Sequence, residues 1–171
     1  MALRQIKFMA FVLLLQLPLL CCAQAHTWKA LYVFGDSYSD SGAGYRDGNG
    51  PTAVVYLAES LGIPFTYAGD PNASGKSLNF AVSGAQTGSG EGAPIQPKPE
   101  GPQFKKALLG RGMRNQVLDF TQRVKSGDLR FNPDETLFFL AGGLNDGELP
   151  TATTIANLED EIRQLYDVGG R

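Results

Sequence analysis

Three short segments of small polar residues hold the groups that could do chemistry in this chain. The first contains Ser37, the second Gly84 and the third Asn145. A serine hydroxyl can act as a nucleophile in acyl transfer, and a glycine N–H or an asparagine amide can donate hydrogen bonds to the oxyanion that forms when a carbonyl is attacked. Such preorganised donors are worth roughly 3–4 kcal/mol each in the transition state. These residue types predict a serine-dependent acyl-transfer site if the fold brings them together.

Each polar segment directly follows an apolar run that is typical of a buried strand. The three runs lie at 31–34, 78–82 and 136–141, and the last is apolar on both faces, as in a central parallel strand. Residues 65–68 predict a further short edge strand. Because the carboxyl ends of parallel strands meet at one edge of a sheet, we expect the three polar segments to converge there.

Apolar residues at helical spacing separate the predicted strands. They predict one helix over 54–61, which Gly62 would end, another over 113–124, and a last helix near the end of the chain. In the last helix four apolar residues are expected to face the core: Ile155, Leu158, Ile162 and Leu165. The alternation of strands and helices predicts an α/β fold of three layers, with a parallel sheet between helices.

The N-terminal residues 1–25 predict a secretory signal peptide outside the folded domain. Arg4 and Lys7 precede an apolar stretch at 8–20, and Ala23-Gln24-Ala25 has the form of a cleavage site. The apolar stretch is shorter than the ~20 residues that a spanning helix needs. We therefore expect a secreted protein, extracellular or periplasmic, with no transmembrane segment after cleavage near Ala25. An uncleaved anchor is the alternative.

The composition of the expected mature chain limits its function classes. Without the signal peptide it has 13 basic and 17 acidic residues, a net charge of −4. This balance argues against nucleic acid as a partner, since its binding relies on clustered Lys and Arg. Both cysteines, Cys21 and Cys22, lie in the predicted signal peptide, so the mature chain would fold without a disulfide.

The three polar segments and the strands before them also resemble a known family. Gly35-Asp36-Ser37, the segment from Asn79 to Gly84, and Gly143-Leu144-Asn145-Asp146 are similar to the first three sequence blocks of the SGNH hydrolases, also called GDSL esterases and lipases. One block alone is a weak signal, but three in order after predicted strands form a strong one. The resemblance covers about residues 30–170 and implies that 26–171 form one hydrolase domain with a flavodoxin-like SGNH fold.

The resemblance implies a role for each site residue. Ser37 would be the nucleophile, and its own amide, the Gly84 amide and the Asn145 side chain would form the oxyanion hole. Asp36 and Asp146 would be structural residues near the site. The family implies hydrolysis of small-molecule, lipid or acetylated-sugar carboxylic esters, and no metal or other cofactor. Tyr38 replaces the leucine that names the motif, at a position that tolerates variation.

The fourth block of the family is absent from the 171 residues. This block, Asp-x-x-His near the C-terminus, supplies the general base, whereas the only histidine here, His26, precedes the first strand. The resemblance therefore implies a domain that is incomplete at its C-terminus and essentially inactive as these residues alone. A natural short product, completed by a partner chain, is the competing interpretation.

Three other function classes can be weighed on the sequence. Gly75-Lys76-Ser77 suggests a phosphate loop, but five residues separate Gly69 from Gly75 where that motif needs four. No serine has the flanking glycines of the Gly-x-Ser-x-Gly elbow of α/β-hydrolases. A secreted, non-catalytic SGNH-like binding protein stays open as the alternative function.

Overall fold

The structure, a computed structural model, describes residues 27–41, 50–73, 77–89, 111–147 and 149–171. The predicted signal peptide and His26 lie outside these ranges. The described strands are β1 (Ala30–Gly35), β2 (Thr66–Tyr67), β3 (Leu78–Asn79) and β4 (Thr136–Ala141). The described helices are α1 (Ala53–Ser60), α2 (Met113–Ser126) and α3 (Thr151–Asp167), with a short 3-10 helix at Pro133–Glu135. None of these helices is long and apolar enough to cross a membrane.

The four strands form one parallel sheet in the order β2-β3-β1-β4. Side chains alternate along β1 and build a core on each face of the sheet. Leu31 and Val33 pack with residues of α1, whereas Tyr32 and Phe34 pack with residues of α2 and α3. The sheet therefore lies between α1 on one side and α2 with α3 on the other, which confirms the predicted α/β class and its three layers.

Gly35 lets β1 end close to β4. The two strands are in register along their whole length, and Gly35 is opposite Ala141. A Cβ atom at Gly35 would lie 2.5 Å from the carbonyl oxygen of Ala141, closer than real Cβ contacts. Any larger residue would separate the strands at the point where the segment that contains Ser37 begins.

Two predicted strands differ from the structure in extent or position. The run 78–82 forms a regular ladder only at Leu78–Asn79, although the Phe80 and Val82 N–H groups still donate to the Val33 and Gly35 carbonyls. The run 136–141 is an edge strand among the described residues, and beyond Thr136 it is only partly buried. Its apolar pattern is typical of a central strand, and in the described sheet the strand pairs with β1 alone.

The prediction that Ile155 and Ile162 face the core is wrong. Their side chains are 51% and 56% exposed, while the buried residues of α3 are Glu161 and Leu165. Polar side chains orient the helix instead. The Thr154 hydroxyl donates to Asp146 in the loop after β4, and Asn157 Nδ2 donates to the Thr87 hydroxyl in the loop after β3. Apolar spacing alone pointed to a different face of this helix.

Candidate active site

The residues after β1 form a tight turn that places Ser37 at the carboxyl edge of the sheet. The Asp36 carbonyl accepts from the N–H groups of Ser39 (3.0 Å) and Asp40 (2.9 Å), and Asp36 Oδ1 accepts from the Tyr38 N–H (3.1 Å). Burial raises the pKa of the Asp36 carboxyl, and hydrogen bonds from the backbone N–H groups of Tyr38 and Asp36 oppose this rise. Ser37 itself is partly buried.

Two buried polar side chains connect this turn to the loop after β3. Asp40 Oδ2 accepts from the N–H (2.8 Å) and the hydroxyl (3.0 Å) of Ser83. Asn79 Nδ2 donates to the Ser39 carbonyl (2.7 Å), and Asn79 Oδ1 accepts from the Ala81 N–H (2.9 Å). The first two polar segments therefore lie side by side.

Gly84 lies in a left-handed backbone conformation that favours glycine. Its φ is +82°, and the residue is buried. The next N–H group, that of Ala85, turns back to the Val82 carbonyl (3.1 Å). The chain thus bends sharply at Gly84, directly beside Ser83, whose N–H and hydroxyl bond to the first segment.

The loops after β3 and β4 are joined by two hydrogen bonds, in which each loop donates one from a side-chain amide. Asn145 Nδ2 donates to the Ala85 carbonyl (3.1 Å), and Gln86 Nε2 donates to the Asn145 carbonyl (3.1 Å). These contacts place the Asn145 amide next to the residue that follows Gly84. The structure therefore brings the loops of Ser37, Gly84 and Asn145 to one edge, as the parallel sheet predicts.

Asp146 holds the third loop to the second loop and to α3. Asp146 Oδ1 accepts from the Thr87 N–H (2.8 Å), and Oδ2 accepts from the Thr87 hydroxyl (2.7 Å) and from the Thr154 hydroxyl. Burial alone would raise the pKa of Asp146, but the hydrogen bonds from Thr154 and Thr87 outweigh it and lower that pKa below its ordinary value. Asp146 is therefore held as a carboxylate directly after Asn145.

Several N–H donors at this edge have no acceptor among the described residues, and the Ser37 N–H, the Gly84 N–H and the second hydrogen of Asn145 Nδ2 are among them. The adjacent N–H groups of Tyr38, Ser83 and Ala85 are all bonded. Gly84 is buried, where backbone N–H groups nearly always have an acceptor, so its N–H is the unusual member of this set. These donors are available to an oxygen atom of a molecule bound at this edge.

Two large apolar side chains at this edge are open to solvent. Tyr38 is 71% exposed and Leu144 is 68% exposed. Tyr38 lies three residues after Gly35, and Leu144 lies three residues after Ala141. Gly35 and Ala141 are paired at the ends of the adjacent parallel strands β1 and β4. An exposed apolar side chain is therefore next in sequence to each of Ser37 and Asn145.

Sequence reasoning missed the side chains that hold the loops together. Asp40, Asn79 and Gln86 are polar residues in or beside the three polar segments, but no spacing in the sequence indicated their partners. No histidine occurs within the described ranges, and no three His, Cys, Asp or Glu side chains there could together hold a metal ion.

Comparison with known protein families gives a match over most of the chain. The sequence profile of the family described as GDSL-like Lipase/Acylhydrolase matches residues 31–169, a range that includes all three loops. No curated protein sequence gives a significant match. The family match covers most of the chain and agrees with the parallel sheet, and it confirms the resemblance to the SGNH hydrolases. The chain therefore belongs to the GDSL-like lipase/acylhydrolase family.

Proposed function

We propose that this protein is a secreted serine esterase in which Ser37 is the nucleophile. The family supports an ester hydrolase, and the residue roles rest on the geometry of the sheet edge. The observation that carries the proposal is that one sheet edge brings together the loops of Ser37, Gly84 and Asn145, each of which holds an N–H donor with no acceptor among the described residues.

In the proposed reaction Ser37 Oγ attacks the carbonyl carbon of the ester. A new C–O bond forms, the carbonyl electron pair moves onto the oxygen, and the three donors bind the resulting oxyanion. Collapse of this intermediate breaks the bond to the alcohol oxygen, and the alcohol leaves with the proton that the Ser37 hydroxyl gave up. Water then attacks the acyl-enzyme, releases the carboxylic acid and restores the Ser37 hydroxyl.

The exposed apolar surface beside the site supports esters with an apolar acyl chain. The family resemblance implies lipid, acetylated-sugar and small acyl esters as substrate classes. Tyr38 and Leu144 adjoin the nucleophile and one oxyanion donor, and both are mostly exposed. A chain of several methylene groups would bury more of this surface than an acetyl group, at about 0.8 kcal/mol per methylene.

A fluorophosphonate probe tests the assignment of Ser37. The purified protein should be labelled at Ser37, and Ser37→Ala should abolish both labelling and p-nitrophenyl ester hydrolysis. Ser60→Ala is the matched control, since Ser60 is an exposed serine at the end of α1. Labelling at another serine, or hydrolysis without labelling at Ser37, would overturn the assignment. Ester binding with neither labelling nor hydrolysis would identify a non-catalytic binding protein instead.

Secretion is tested separately from catalysis. The predicted signal peptide would be removed after Ala25, so N-terminal sequencing of exported protein should begin His26-Thr27-Trp28. Recovery of the protein in a membrane fraction with Met1 retained would contradict this part of the proposal.

A further inference from the structure

The side chain of Gln116, on α2, pairs with the backbone of the last residue of β1. Gln116 is buried and 1% exposed. The Gly35 N–H donates to Gln116 Oε1 (2.9 Å), and Gln116 Nε2 donates to the Gly35 carbonyl (2.9 Å). Gln116 Nε2 also donates to the Arg111 carbonyl (3.0 Å). Both hydrogens and the oxygen of the amide are therefore used.

This pairing completes the hydrogen bonding of β1 where the regular sheet ends. The β1–β3 ladder stops with Val33 opposite Asn79, two residues before Gly35. Beyond it the Gly35 carbonyl still accepts from the Val82 N–H (3.0 Å), but the Gly35 N–H finds its acceptor in Gln116. A buried backbone N–H needs such a partner. Gln116 thus fixes the strand end two residues before Ser37.

The first turn of the same helix also holds the loop that follows Gly84. The N–H groups of Met113 and Arg114 donate to the carbonyls of Gln86 (2.8 Å) and Gly88 (3.3 Å). These N–H groups lie at a helix N-terminus, where no partner exists within the helix. The start of α2 is therefore bonded to the segment before Ser37 and to the segment after Gly84.

We propose that Gln116 is a positioning residue for Ser37, which it holds at the correct distance from the oxyanion donors through Gly35. The inference rests on the proposed function of Ser37. A displacement of about 1 Å in a reacting group can lower a rate by about 10²-fold. Loss of the Gln116 pairing should therefore lower kcat about 10- to 100-fold and leave KM within about threefold, because Gln116 does not touch the substrate.

The test compares two substitutions at residue 116 with the same two at residue 122. Gln116→Met keeps the side-chain length without the hydrogen bonds, and Gln116→Glu can donate to the Gly35 carbonyl only when its carboxyl is protonated. Gln122 is on the exposed face of α2 and provides the controls Gln122→Met and Gln122→Glu. For each variant, kcat, KM and Tm are measured from pH 5 to pH 8, with Ser37→Ala in the same series.

The expected result is a lower kcat for Gln116→Met at temperatures well below its Tm. For Gln116→Glu, the loss of kcat relative to wild type should become smaller as pH falls. Both residue-122 variants should have the kcat of wild type. A folded Gln116→Met protein with kcat within twofold of wild type would overturn the inference. If Gln116→Met does not fold, a loss of kcat in Gln116→Glu that is the same at every pH would overturn the inference. Full activity of Ser37→Ala would instead refute the proposed function, whatever Gln116 does.

Discussion

Asp40 and Ser83 are 43 positions apart in the sequence and are joined by two hydrogen bonds to one carboxylate oxygen. The Ser83 N–H lies 2.8 Å from Asp40 Oδ2, and the Ser83 hydroxyl lies 3.0 Å from it. Both residues are fully buried. This contact fixes the turn that contains Ser37 against the residue that precedes Gly84, and so sets the spacing between the proposed nucleophile and a proposed oxyanion donor.

Removal of the Asp40 carboxylate should destabilise the fold. Asp40→Ala leaves the buried N–H and hydroxyl of Ser83 without this acceptor, and we expect the free energy of unfolding to fall by about 2–3 kcal/mol. Urea denaturation measures this change. Asp128→Ala, at an exposed carboxylate that accepts from Ser126, is the control and should change stability little. Equal effects of the two substitutions would show that the buried contact adds no stability.

Asn145 should act mainly on kcat. Asn145→Ala removes a donor to an oxyanion that exists only in the transition state, so we expect kcat to fall about 10²–10³-fold with little change in KM. The substitution also removes the bond to the Ala85 carbonyl, so Tm is measured beside the kinetics. Asn115→Ala, which removes a similar side-chain bond to the Ser89 carbonyl, is the matched control. A tenfold rise in KM at unchanged kcat would assign Asn145 to substrate binding instead.

Glu161 should make the protein less stable as pH rises. Its carboxylate is fully buried, and neither oxygen has a hydrogen-bond partner in the part of the chain that the structure describes. Burial raises the pKa of Glu161 from 4.5 to about 8, with Arg114 opposing the rise and Asp160 and Asp146 adding to it. Between these values the unfolded chain has lost a proton that the folded chain keeps. The free energy of unfolding should therefore fall by up to roughly 1.4 kcal/mol per pH unit in this window.

Glu161→Gln tests this dependence of the free energy of unfolding on pH, because glutamine has the same shape as glutamate and cannot ionise. Its stability relative to wild type should increase steadily from about pH 4.5 to pH 8 and then level off. Glu159→Gln, at an exposed residue of the same helix, should follow the wild-type pH profile. Parallel profiles for wild type and Glu161→Gln would mean that Glu161 titrates in the folded protein as it does in water.

Tyr38 and Leu144 should select for longer acyl chains. We expect Tyr38→Ser and Leu144→Ser each to lower kcat/KM for p-nitrophenyl octanoate about tenfold, a loss equivalent to the burial of about two methylene groups. The value for p-nitrophenyl acetate should change less than twofold. Ile162→Ser, at an apolar residue of α3 that is 56% exposed, is the control. Equal losses of kcat/KM for both esters would show that Tyr38 and Leu144 do not recognise the acyl chain.

The sequence alone determined the elements whose signals are local. The aromatic and β-branched run of β1, the apolar stripe of α2 and the glycine at its end each depend on neighbouring residues. Gly127, for example, adopts the left-handed conformation expected of a glycine that ends a helix. The order of strands and polar segments was enough to place Ser37, Gly84 and Asn145 at one sheet edge, because the carboxyl ends of parallel strands lie on the same side.

Only the tertiary structure decided which polar side chains hold that edge together and which face of α3 is buried. Gln116 and Gly35 are 81 positions apart, and nothing in the spacing of either residue indicates the other. In α3 the apolar residues Ile155 and Ile162 are exposed while Glu161 is buried, the reverse of what hydropathy predicts. Hydrogen bonds between distant segments depend on where packing places both partners, and that placement is a property of the whole fold.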